Sequence, residues 1–153
     1  MALTAKRFLR ISKAKHREVE CWREDISIQR DSGTEVADLL LRVAAVRWKL
    51  ASVHLRQAKA SMSIRNPLYR AAVSRFYYAM YQAMRACVFV AYDGDDHESH
   101  DQLPLKVPKD FPHPDVWQTK LKSARLERNA ANYDPYPQSD KAWSNAGANS
   151  LTR

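Results

Sequence analysis

Glycine is scarce in this chain, at 3 of 153 residues. That excludes a Gly-rich phosphate loop and a turn-dense all-β fold, both of which depend on the positive φ angles glycine supplies. Cysteine is nearly as rare, at 2. Cys21 and Cys87 form no CxxC pair. A single bridge between them stays open, but nothing resembles a disulfide framework, and a reducing cytoplasm is the expected setting. Long apolar runs are missing as well. The run Ala86–Tyr92 is far below the roughly 20 residues a membrane span needs. Near the N-terminus, Lys6, Arg7 and Arg10 break the apolar core a signal peptide would carry. The most local absence is of acid. Between Leu39 and Tyr92 there is no Asp or Glu, yet nine basic residues stand there, from Arg42 to Arg85.

What is present fits a basic, mostly helical domain. Hydrophobic residues make up 45% and charged residues 27%, which is ordinary globular usage and argues against a disordered chain. The length suits one compact domain. Lys+Arg number 25 against 17 Asp+Glu, a formal charge of +8 at pH 7. Two successive helices of one sign repel unless they are solvated or an anion offsets them. A polyphosphate partner, most simply nucleic acid, fits that order of charge, and so does an acidic protein.

Apolar spacing sets out the helices. Leu39, Val43, Val46, Leu50 and Val53 form one stripe over a helix from Glu35 to about Ala60, with Thr34 as its N-cap. Asn66-Pro67 announces the next helix, which runs to about Tyr92 and packs through Val73, Phe76/Tyr77, Met80, Met84 and Cys87/Val88. Four of the seven prolines lie at 104, 108, 112 and 114, so Asp93–Pro114 is a long loop. Pro114 opens a third helix to about Asn132, and a short final helix starts at Ser139 and includes Trp143. The predicted organisation is a basic helical extension over 1–34, a helical bundle over 35–146 and a frayed tail over 147–153.

Two places stand out chemically. In the third helix, the stripe Trp117, Leu121, Ala124 continues onto Arg128 and then Ala131, placing an arginine on a packed face where it is costly unless paired or functional. In the second, Arg75, Tyr78, Gln82 and Arg85 share a polar face suited to phosphate or to a polar interface. The loop Asp93–Asp101 clusters acids with His97 and His100. It lacks the EF-hand pattern and a second metal-ligand pair, so no metal or cofactor is expected, and the loop reads as a solvated acidic segment.

Three segments together resemble the HEPN domain family: Tyr69–Tyr81 (YRAAVSRFYYAMY), the Ser99-His100 pair, and Arg125–Tyr136 (RLERNAANYDPY). They arrive in the family's order and approximate spacing, and the likeness covers roughly Glu35 to Trp143. The resemblance implies an all-α fold, an antiparallel four- to five-helix bundle that dimerises with its motif arginines near the dimer cleft. Many members are ribonucleases of toxin–antitoxin, CRISPR-linked and phage-defence systems, often encoded beside a nucleotidyltransferase. It implies that Arg128 and Asn129 contact RNA phosphate or ribose, with Arg75, Tyr78 and Arg85 lining the same groove.

Ribonuclease members carry a histidine four to six residues after that arginine, where this chain has Tyr133. A phenol near pKa 10 exchanges protons poorly at neutral pH, whereas imidazole near 6.5 does so readily. Tyr133 is therefore expected to bind rather than to act as base, and His100 is the one loop residue that could rebuild a His–Arg pair. Three readings follow. The chain binds RNA or a nucleotide-bearing partner, or it is an active metal-independent endoribonuclease using Tyr133 or His100, or it is a non-catalytic accessory subunit for a nucleotidyltransferase or another defence protein. No membrane partner is expected.

Overall fold

The computed structural model describes residues 4–94 and 97–134. Among them the secondary structure is all helical: α1 (Ala5–Ser12), α2 (His16–Ser32), α3 (Val36–Ser63), α4 (Tyr69–Ala91), a 3-10 turn (Leu103–Lys106) and α5 (Pro114–Tyr133). The predicted final helix at Ser139–Trp143 and the tail over 147–153 lie outside the described residues. The chain divides into two compact units, Met1–Leu39 and Leu40–Arg153.

In the first unit, the extension expected as one helix is two. The Glu18 carboxylate accepts from the Lys15 backbone N–H at 2.8 Å, satisfying one of the free donors at the start of α2. Gly33 ends that helix in the left-handed region, at φ 62, returning its N–H to the Gln29 carbonyl. No residue of α2 is buried. Thr34 is not the cap of α3. Its hydroxyl turns back to the Ser32 carbonyl at 3.2 Å, and the Glu35 carbonyl takes the first helical bonds, from Asp38 and Leu39.

The second unit is built on α4 and α5, which run antiparallel. Ser74 near the start of α4 donates to Asn132 near the end of α5 at 2.8 Å, and one turn earlier Arg70 reaches the Asp134 carbonyl at 2.5 Å. Their shared core is Tyr77, Met80, Tyr81, Met84 and Val88 from α4 with Leu121 and Ala124 from α5. The loop between the two helices is not simply solvated: Leu103 and Val107 join that core. The expected stripe on α5 is largely observed, with Leu121, Ala124 and Ala131 buried. Proline starts α5 at Pro114, as its missing N–H and fixed φ allow. On α4 proline does not play that part. The helix begins at Tyr69, two residues beyond Pro67, and the Leu68 carbonyl accepts its first bond from Ala72.

The face of α3 differs from the expected one. Its buried residues are Ala44, Ala51 and Ala58, seven apart, whereas Val43, Val46 and Leu50 of the predicted stripe are 41%, 64% and 41% exposed. Ala44 packs with Ala86 and Phe89 of α4. Further along, His54 meets Arg75 and Tyr78, so α3 also runs antiparallel to α4. Between α3, α4 and α5 lies an apolar cavity of about 320 Å3 bordered by Trp48, Leu55, Met84, Cys87, Phe111 and Trp117. Both cysteines are free. Burial pushes the Cys87 thiol up, away from the reactive thiolate. No helix among the described residues is long and apolar enough to cross a membrane.

Candidate functional site

Beside the shared α4–α5 core, polar and aromatic groups gather. The spacing of α4 brings Tyr77, Tyr78 and Tyr81 to one side, with ring centroids 5.4 to 6.4 Å apart. The loop delivers His100 onto them. Its ring lies 4.2 Å from that of Tyr81, and its Nδ1 is 2.5 Å from the Tyr77 hydroxyl. The Tyr81 hydroxyl donates to the Glu98 carbonyl, and Arg125 pairs with Asp101, so the loop is held on both sides of His100.

Arg128 comes to the same rings from α5. Its guanidinium carbon is 5.1 Å from the centroid of Tyr77 and 5.6 Å from that of Tyr78. Its Nε is buried with no hydrogen-bond acceptor. Arg85 covers the Tyr81 ring at 5.4 Å. Cation–π contacts of this kind position a guanidinium without neutralising it, so Arg128 keeps a positive potential around it.

That potential is visible in the titrating groups. Burial, reinforced by the charges of Arg128, Arg125 and Arg85, holds the His100 imidazole below its ordinary value and hence neutral at pH 7. Burial pushes the Tyr77 phenol up to about 12 against the opposing pull of Arg128, so it keeps its proton. His54 is likewise lowered, by burial and then by Arg75. The unfolded chain therefore binds more protons than the folded one once the pH falls below about 6.5. The stabilising contribution of these neutral imidazoles is complete above that value and is lost as the pH falls through their lowered folded values. Thermal melts are expected to show a falling Tm from about pH 6.5 downward, and His100→Gln should flatten that fall. A Tm independent of pH across this window would contradict the arrangement.

The predicted site residues thus fall into two groups. Arg128, His100, Tyr78 and Arg85 are brought together, and Arg75 joins through His54, whose Nδ1 is 3.3 Å from its Nη1. Tyr133 is not among them. It is 75% exposed in the last turn of α5, and five residues from Arg128 place it about 140° around the helix. Asn129 is half-buried, next to Arg128 on α5. Four participants were not singled out from the sequence: His54, Tyr77, Tyr81 and Arg125. Tyr77 was read as core, which its burial bears out, but its hydroxyl also holds the imidazole. His54 had no local signal, because its partners are on another helix.

Chemically, the cluster can hold an anion at Arg128 and offer it a neutral imidazole and aromatic faces. No family model, no curated protein and no solved structure matches the chain.

Proposed function

We propose that this chain is a HEPN-type helical protein that binds RNA, with phosphate held by Arg128 and assisted by Arg85. The observation that carries the reading is Arg128 itself. A guanidinium on a packed helix face, laid on two tyrosine rings that do not neutralise its charge, is well suited to a phosphate oxygen. The acid-free basic stretch supports the same class of partner through long-range attraction. The test is retention of labelled RNA in EDTA across a salt series, with Arg128→Ala beside the parent chain. Salt-sensitive binding that weakens in the variant supports the reading, and no retention by the parent chain overturns it.

One observation favours a second reading, a metal-independent endoribonuclease. His100 is neutral and shares the Tyr77 and Tyr78 rings with Arg128, which rebuilds a His–Arg pair from different chain positions. Acting as base requires the tautomer in which Nδ1–H donates to the Tyr77 oxygen, leaving the Nε2 lone pair for the ribose 2′-OH. The 2′-oxygen would then attack phosphorus and expel the 5′-oxygen, which takes a proton from water, giving a 2′,3′-cyclic phosphate and a 5′-hydroxyl. In this reading His100→Gln abolishes cleavage in EDTA and retains binding. Equal cleavage by both chains would remove His100 from the chemistry.

A further inference from the structure

The arginine–tyrosine cluster does not end at Tyr78. The His54 ring also lies against Tyr78, with centroids 5.6 Å apart and planes inclined at 32°. Beyond it, Arg75 Nη1 is 3.3 Å from His54 Nδ1. Arginine has only donors, so Nδ1 is the acceptor and the His54 proton sits on Nε2. The order across the surface is guanidinium, ring, ring, guanidinium: Arg128, Tyr78, His54, Arg75.

We propose that His54, backed by Tyr78 and Arg75, is a nucleobase shelf, on which one base of an RNA strand stacks while its phosphate lies on Arg128. The inference rests on the RNA-binding reading above and adds a residue and a role to it. Two features carry it. Phosphates are recognised by charge and bases by π-faces, and two rings flanked by guanidiniums offer a single strand both kinds of contact. The shelf is also reachable: Arg75 is exposed, and His54 and Tyr78 are half-buried. Burial and the Arg75 charge lower the His54 titration, so the ring meets the base neutral and contributes stacking, with an Nε2–H donor, rather than counterion release. A duplex keeps its bases stacked on one another and has none to offer.

The experiment compares a short fluorescein-labelled single-stranded RNA with the same sequence as a duplex, using the full chain and its His54→Ala, His54→Phe and Arg128→Ala variants. Replacing His54 by alanine is expected to weaken single-strand binding roughly 10-fold, the scale of one lost base stack. Duplex binding and the slope of affinity against salt should stay as in the parent. Phenylalanine, which stacks but cannot bond Arg75, should restore most of the affinity. A merely structural His54 would lose affinity for both RNAs alike and would not be rescued by phenylalanine, and either result overturns the shelf. If Arg128→Ala weakens binding and His54→Ala does not, the shelf fails and the RNA-binding reading stands. If the parent chain retains no RNA, both fall.

Discussion

Replacing Arg128 by alanine is expected to weaken RNA retention by roughly 10- to 100-fold, the range of one charge-assisted phosphate contact of about 1.5–3 kcal/mol, while leaving the melting temperature nearly unchanged. The two halves of that expectation have separate causes. In the RNA-free chain the guanidinium leaves a buried Nε without an acceptor, a cost of about 1–3 kcal/mol, and it sits in the positive field of Arg125 and Arg85. Against this it gains contacts with the Tyr77 and Tyr78 rings, about 0.5–2 kcal/mol. The terms nearly cancel, so truncation costs little in folding. With phosphate bound, the guanidinium gains a charge-assisted acceptor and the favourable term dominates. Fluorescence titrations across a salt series and thermal melts check both halves, and the salt slope should fall by about one unit. Lysine at 128 keeps the charge but loses the planar fork and its face-on contact with the rings, and an intermediate affinity is expected. A large loss of Tm with unchanged RNA retention would mark Arg128 as a packing residue instead.

That placement of Arg128 was legible in the sequence, because one uninterrupted stripe carries it. Trp117, Leu121, Ala124, Arg128 and Ala131 keep helical spacing, and the helix that bears them packs along its length on α4. The stripe of α3 misled for the opposite reason. Spacing ranks faces by the size of their apolar residues, so Val43, Val46 and Leu50 outweighed Ala44, Ala51 and Ala58. Contact with α4 selects the alanines, since Ala44 meets Ala86 and Phe89 there. The face with the larger residues is left exposed. His54 stayed hidden because its function depends on residues more than twenty positions away on an antiparallel neighbour. His100 was legible as a loop residue near Arg128, but the Tyr77 hydroxyl and the Tyr81 ring that fix it show only in three dimensions.

The loop that carries His100 was read from its prolines as an irregular connection, and the prolines are consistent with that. They concealed an anchor. Leu103 is 1% exposed and Val107 3%, and both belong to the α4–α5 core, although the 3-10 turn between them is only Leu103–Lys106. Leu103→Ala is therefore expected to cost about 2–5 kcal/mol, the range for a buried leucine whose site collapses incompletely. At that scale the Tm of a chain of this size should fall by about 10 °C. Leu105, two residues on in the same turn, is 55% exposed, and its alanine variant should lie within about 0.5 kcal/mol of the parent. The contrast matters for the site because Leu103 stands three residues after His100, and its backbone N–H bonds the Ser99 carbonyl at 3.0 Å. With Leu103 truncated, the imidazole loses the nearest buried fixed point behind it, and the Tyr77 and Tyr81 contacts and the Arg125–Asp101 pair must hold the loop. RNA retention should then weaken at temperatures where the chain is still folded, which Leu105→Ala will not reproduce. Equal stability of the two variants would place the loop outside the core and leave His100 held only by its tyrosines and the Arg125–Asp101 pair.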